Sequence, residues 1–287
     1  MKNSSAQQLR QRLASQGISK HDIEHSHLTQ FYGSLKPFKD KPDMALVDSM
    51  GLERIIVNEH ESQPLVGLIV ETRCLESLVF VVGQVIDKLR IPVQLFHGSE
   101  NAEFVHSRFA DAISSGQLVV CQLNAAALFA PAYNALFLSS AFWDKVIGED
   151  KVLVFQTDAL LCSNSDYSID HFTHFDYIGS KWKRSRPIGM IADGGNGGLS
   201  LRSKAKTMDC LQRFPPQQWP GGEDGYFAFH IDLIGGNVAS MAEAEKFSTQ
   251  IHFAKKSFGG HKVSDLSTQE LKQFMAYCPE LHNILSD

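Results

Sequence analysis

The chain has 287 residues, 43% of them hydrophobic and 21% charged, with a formal net charge of -5 and a pI near 6.2. That length and apolar content suffice for one sizeable core, alone or with a small appendage, and exclude a disordered or fibrous chain. The acidic balance excludes nucleic-acid binding or a polybasic membrane face as the main activity, and the densest basic patch is Lys181, Lys183, Arg184 and Arg186.

The five cysteines, Cys74, Cys121, Cys162, Cys210 and Cys278, are odd in number, far apart and never in CxxC spacing. They read as reduced thiols rather than a disulfide framework or zinc knuckle. No apolar stretch reaches the length of a membrane span, and the opening MKNSSAQQLRQRL lacks the apolar core of a secretion signal. The expected location is the cytoplasm, with any membrane contact peripheral.

Residues 5–16 predict a helix with a thin apolar stripe at Leu9 and Leu13. Residues 19–32 follow with a capping-box-like start at Ser19 and Asp22. Residues 1–60 are expected to form a helical extension outside the main sheet, serving oligomerisation or partner docking, or else covering one edge of the core. From residue 61 the texture alternates. Residues 65–71 (LVGLIVE) predict a buried strand, 75–89 a helix, 92–97 a second strand, 104–114 a helix, 117–123 a third strand and 133–146 an amphipathic helix. This rhythm implies parallel pairing in a Rossmann-like α/β half. Glu71-Thr72-Arg73-Cys74 stands where a GxGxxG fingerprint would be, which argues against a nicotinamide enzyme.

The chain is organised around KVLVFQTDALL at 151–161, an apolar run that breaks at Gln156-Thr157-Asp158 and resumes at Ala159-Leu160-Leu161. Its first five residues read as a buried strand that delivers the carboxylate of Asp158 to a sheet edge, where ligands bind in open α/β sheets. A lone aspartate there serves equally as a turn residue. Three polar clusters follow. Gly194, Gly195, Asn196, Gly197 and Gly198 permit positive φ and close backbone approach to a ligand, or simply a hairpin or bulge. Trp219-Pro220-Gly221-Gly222-Glu223-Asp224 sets adjacent acids before an apolar helix at 226–231, and Phe258-Gly259-Gly260-His261-Lys262 closes the core. Helices are predicted at 203–214 and 267–277, with a short strand at 177–179, and 242–247 leads on to the last cluster.

Together these clusters resemble glycosyltransferases of the GT-A fold, in which a DxD-type motif, a glycine-rich loop, an xED motif and a C-terminal metal-binding histidine occur in this order. FQTD, YIGSKW and GNGGLSLR are similar to a family of uncharacterised bacterial and fungal proteins assigned to that superfamily, and GGED is similar to the phrase in β-1,4-galactosyltransferases. The resemblance runs from about residue 64 to 262. It departs from the pattern at Gln156, which holds the first DxD position, and at Pro220, which separates Trp219 from Gly221.

The resemblance implies a GT-A-like domain over 61–287 and a metal-dependent, inverting transfer of sugar from a nucleotide-diphosphate donor, a UDP-sugar, to a hydroxyl of a glycan or other acceptor. Asp158 and His261 would hold Mn2+ or Mg2+ over the diphosphate. Asp224 would be the general base, with Glu223 orienting the acceptor or supporting Asp224. Glu71, Thr72, Arg73, Gln156 and Thr157 would join Asp158 around the nucleotide sugar. Gly195, Asn196, Gly197, Gly198, Trp219 and Gly222 would border the sugar or acceptor. Lys181, Lys183 and Arg184 read as a lid or as a solvated loop. Two other readings stay open: a sugar-1-phosphate nucleotidyltransferase, and a non-catalytic binding or scaffold protein for which the Gln156 departure speaks.

Overall fold

The structure, a computed structural model, describes residues 3–57, 63–182, 188–253 and 256–284. Lys183, Arg184 and Arg186 of the basic patch lie outside the described residues. The elements, in chain order, are α1 (Ser5–Ser15), α2 (Thr29–Gly33), β1 (Leu65–Glu71), α3 (Glu76–Leu89), β2 (Val93–His97), α4 (Ala102–Arg108), α5 (Ala110–Ser114) and β3 (Leu118–Gln122). Then come α6 (Ala130–Phe137), α7 (Ser140–Trp143), β4 (Lys151–Phe155), β5 (Ala159–Leu161), β6 (Tyr177–Ser180) and β7 (Asn196–Ser203). The chain continues through α8 (Lys204–Arg213), α9 (Glu223–Leu233), α10 (Met241–Phe247), β8 (Ser248–Thr249), β9 (Gly259–His261) and α11 (Thr268–Tyr277).

The main sheet has six strands in the order β3-β2-β1-β4-β7-β6. Its first four strands are parallel, as the alternating helices require, while β7 runs antiparallel to both β4 and β6. The α/β class with a mixed, Rossmann-type sheet flanked by helices is therefore the one expected. Period-two alternation divides the apolar residues between two layers. Val66, Leu68, Val152 and Val154 face a core shared with α6, α9 and the N-terminal helices, while Ile69, Leu153 and Phe155 face the other, under α3.

The structure refines or corrects several expectations. The break at Gln156, Thr157 and Asp158 is a turn that takes the chain out of the main sheet, so that the resumed run, β5, pairs with β9 in a separate β5-β9-β8 sheet. The helix expected at 104–114 breaks at Phe109 into α4 and α5, and residues 25–28 form a single 3-10 turn before the short α2. Cys162 and Cys278 are joined as a disulfide, with Cα atoms 4.9 Å apart, because the far end of α11 packs on β5 around Leu160, Phe274 and Leu281. Disulfides belong to oxidising compartments, so the cysteines lend no support to a reduced setting. Among the described residues no helix is long and apolar enough to cross a membrane.

The first sixty residues contribute Leu9, Leu13, Ile23, Leu28, Tyr32, Val47 and Met50 to the same core as the sheet. Ser4 caps α1 and donates its hydroxyl to Asp232 of α9. The Tyr32 hydroxyl meets His230 Nε2 at 2.6 Å, and His230 Nδ1 contacts the Tyr226 carbonyl at 2.8 Å. Nδ1 therefore carries the proton and Nε2 accepts from Tyr32. Burial drives the His230 pKa down to about 3, so the ring is neutral in the fold.

Candidate functional site

The site is built around one strand. At β7, Gly197 and Gly198 point to opposite faces of the sheet, and each leaves room for a side chain from elsewhere. A Cβ on Gly197 would stand 2.3 Å from Glu223 Oε1 and 2.7 Å from an Arg202 guanidinium nitrogen. A Cβ on Gly198 would stand 2.0 Å from His261 Nε2. Both glycines are thus required by close approach, whereas Gly194 and Gly195 are required by φ values of +97° and +104° in the turn that enters the strand. The Gly195 carbonyl accepts from the Tyr177 hydroxyl at 3.0 Å.

On one face lies the corner made by the β4–β5 turn and the end of β9. Ala159 and His261 are register partners, and the Gln156 amide donates to the Gly198 carbonyl at 2.9 Å, so Asp158, Gln156 and His261 are brought together by backbone pairing. His261 is buried, with Nε2 3.2 Å from Gln156 Oε1 and 3.3 Å from Asp158 Oδ1. The Asp158 side chain is 48% exposed. Burial opposes its ionisation, but the hydrogen bond and charge of His261 outweigh that and hold the carboxyl below its ordinary value.

This corner opens on a cleft of about 660 Å3 between the tips of β1 and β4 and the start of α6. Glu71, Thr72, Arg73, Gln156, Thr157 and Asp158 all line it, together with Leu128, Phe129 and Tyr133. Glu71 Oε1 accepts from the backbone N–H groups of Thr72 and Arg73 and from Arg73 Nε, each at 2.9 Å, and Glu71 Oε2 accepts from the other end of the guanidinium at 2.7 Å. This bidentate pair raises the Arg73 pKa, chiefly through the hydrogen bond to Glu71. Phe129, 75% exposed, is the aromatic wall of the cleft. The sequence gives a weak sign of it: an exposed aromatic directly before the Ala-Pro that opens a helix.

On the other face of β7, α9 begins at Glu223 with Gly222 as its N-cap. Glu223 is fully committed: Arg202, 0% exposed, grips it bidentately at 2.5 and 3.0 Å. The Arg202 guanidinium lies 5.4 Å from the ring centroids of Phe137, Tyr177 and Phe227. Burial pushes the Glu223 carboxyl up, against the opposing charge of Arg202. Asp224 points elsewhere. Its Oδ1 accepts from the Gly225 amide at 2.6 Å, and its Oδ2 accepts from Asn196 Nδ2 at 3.2 Å and Trp182 Nε1 at 3.4 Å. Asn196 Oδ1 in turn accepts from the Gly198 amide at 3.0 Å, so one asparagine spans the two halves of the site.

Trp219 is not brought to this site. It is 3% exposed, packed against Tyr32, Tyr226 and Phe229, and donates Nε1–H to the Gly222 carbonyl at 2.9 Å, which fixes the entry to α9. Lys181 pairs with Glu245 of α10. Arg202 and Trp182 stand within GNGGLSLR and YIGSKW, but the sequence assigns no role to either, nor to Asn134. Arg202 has a readable signal, since a cation at an inward position of an apolar strand needs a buried acid nearby.

For a divalent cation the available atoms are Asp158 Oδ1, His261 Nε2 and Gln156 Oε1. Among the described residues no group of three or more His, Cys, Asp or Glu side chains is poised to hold a metal. A cation held by these atoms would need its remaining positions filled by oxygens of a bound ligand. His261 Nδ1 is buried without a hydrogen-bond partner. Nε2 lies against two acceptor oxygens and so carries a proton; a cation bound beside Asp158 would need that proton displaced or moved to Nδ1, leaving the Nε2 lone pair to face it.

Residues 120–261, which run from β3 to His261, match the model of a family described as a protein of unknown function (DUF5672). No curated protein matches the chain. Among solved structures, the chain is similar to galactosyltransferase LgtC in complex with donor and acceptor sugar analogs, at 10% identity and a TM-score of 0.46, over 74% of this chain and 96% of that one. It is also similar to a protein from Bacillus anthracis described as a glucose-1-phosphate thymidylyltransferase and solved with sucrose, at 13% identity and a TM-score of 0.39, over 61% of this chain and 86% of the other.

Proposed function

We propose that the chain is a metal-assisted glycosyltransferase that moves a sugar from a nucleotide-diphosphate donor, a UDP-sugar, to a hydroxyl of a glycan or other acceptor, with inversion. One observation carries this reading: β7 sets a carboxylate–imidazole corner beside a ligand-sized cleft on one face and a separate, hydrogen-bonded aspartate on the other. A donor lying along the cleft places its nucleoside against Phe129 and the end of β1, and its diphosphate at Asp158 and His261. Aromatic faces stack on bases of any identity. Arg73, already oriented by Glu71, contributes positive charge near Asp158.

A Mn2+ or Mg2+ ion bound there supplies Lewis-acid stabilisation of the departing diphosphate. The residues of the chain do the rest. Asp224 Oδ2 takes the proton of the acceptor hydroxyl on the side away from the leaving group, while Asn196 and Trp182 hold the carboxylate in place. Glu223 is a positioning residue, locking the first turn of α9 onto β7 through Arg202. Gly197 and Gly198 leave the acid and the imidazole close to the sugar.

A thermal-shift screen of nucleotide sugars, each with manganese and with chelator, tests this. The expected result is stabilisation by a UDP-sugar only with manganese, amounting to about 2.7 kcal/mol at a hundredfold excess over Kd. Absence of stabilisation by every donor under both conditions would rule the reading out. Pyrophosphate release from a nucleoside triphosphate would instead assign a nucleotidyltransferase.

A further inference from the structure

Four large hydrophobic side chains are exposed among the described residues: Phe38, Leu46, Ile56 and Phe129. Single exposed hydrophobics are ordinary. The position of Phe38, which is 38% exposed, is not accounted for by any contact described so far. Its amide donates to the Pro220 carbonyl at 2.8 Å, the Lys36 amide to the Ile188 carbonyl at 3.0 Å, and Asn134 Nδ2 to the Asp40 carbonyl at 3.0 Å. The other end of the Asn134 side chain accepts from the Glu223 amide at 3.0 Å. The N-terminal segment is thereby strapped across the start of α9. A Cβ placed on Gly222 would lie 3.1 Å from Asp224 Oδ1 and 4.0 Å from Phe38 Cε1. Those two distances place Asp224 Oδ1 and Phe38 Cε1 no more than about 7 Å apart, within the span of one sugar ring with its hydroxyls. Gly222 keeps that gap clear.

We propose that Phe38 is the acceptor platform: the apolar C–H face of a hexopyranose rests on the Phe38 ring while a hydroxyl on its edge meets Asp224. This rests on the transferase reading and narrows its acceptor to a carbohydrate. A pyranose ring joins one apolar face to a rim of hydroxyls. The site offers the matching pair, an aromatic π face, electron-rich at its centre, and a carboxylate with Asn196 and Trp182 donors beside it. In transfer the acceptor O–H bond breaks, its proton going to Asp224 Oδ2. The oxygen forms a bond to the anomeric carbon, and the anomeric C–O bond breaks with its electron pair leaving on the diphosphate. The N-terminal segment, not the sheet, would then select the acceptor.

The test uses the full chain, with UDP and manganese present, and lactose, cellobiose and methyl β-D-glucopyranoside as probes in ligand-detected saturation-transfer NMR. UDP affinity is measured in parallel by calorimetry. Phe38→Ala should weaken sugar binding about tenfold, the scale of one aromatic contact, while Phe38→Trp stays within about threefold and UDP affinity is unchanged in both. Unchanged sugar affinity in Phe38→Ala would overturn the proposal, as would UDP binding without binding of any sugar probe. Failure of UDP to bind the wild type would reject the transferase reading and the platform with it, a distinct result because it appears in the calorimetry alone.

Discussion

The two faces of β7 both present charged side chains, yet they treat them in opposite ways. Toward α9, Arg202 and Glu223 are sealed among Phe137, Tyr177 and Phe227, and His230 is kept neutral beside Tyr32. Toward the cleft, Asp158 is half-exposed and shares His261 Nε2 with Gln156. A buried charge with every partner satisfied maintains geometry, whereas an exposed one with a spare lone pair remains available to a ligand. Asp224 belongs to the second kind although its neighbour Glu223 belongs to the first.

The sharpest way to break this comparison is Arg202→Met. It strands a buried carboxylate, and urea titration should show a loss of about 3–5 kcal/mol, with Arg202→Met/Glu223→Leu recovering most of it. A loss below 1 kcal/mol would mean the pair is not buried as described. Next, Asp224→Asn should lower transfer at least ~100-fold while leaving UDP-sugar binding and thermal midpoint nearly unchanged. Near-normal turnover would remove Asp224 from catalysis.

His230 gives the pH dependence of the closed face. Its folded pKa of about 3 lies below the ordinary histidine value, so below about pH 6.5 the unfolded chain takes up a proton that the fold refuses. Its contribution is complete above that pH and is lost as the pH falls toward 3, at about 1.4 kcal/mol per pH unit. Replacing it, as His230→Gln, should flatten that limb of a stability-versus-pH curve; an unaltered limb would contradict a neutral buried ring. The smallest expected change is at the open face. Asp158→Asn should alter stability by no more than about 0.5 kcal/mol yet abolish manganese-dependent stabilisation by the donor. Retained metal dependence would take Asp158 out of the corner.

Much of this was legible in sequence. β1 is found at the bounds its apolar run predicts, and the alternation of strands and helices specified the parallel half. The family resemblance, rather than any local pattern, put Gln156, Asp158, Asn196, Gly198 and His261 in one neighbourhood, and they lie together although His261 is 105 residues beyond Gln156. What stayed hidden depends on long-range packing. The turn at Gln156–Asp158 carries no glycine or proline to show that β5 leaves the main sheet. Nothing local pairs Arg202 with Glu223, or Cys162 with Cys278. The thin stripe at Leu9 and Leu13 does not say which surface it covers, and Phe38 acquires meaning only beside Gly222. Trp219 was misleading for a related reason: an indole one proline before Gly-Gly-Glu-Asp fits an acceptor pocket or a helix entry equally well, and burial decides for the latter.

The pairing of β5 with β9 has a consequence for the order of assembly. Every strand of the six-stranded sheet lies before residue 204, so that sheet can zip up while the remaining chain is still unstructured. Asp158 gains its imidazole only after residue 261 has returned across α8, α9 and α10, and α11 then fastens behind it through Cys278. Contacts of such long sequence separation form slowly, since loop closure precedes any gain from them. The Asp158–His261 corner is accordingly a late event on the folding route, and a ligand that held the two residues together would act as a clamp on its final step.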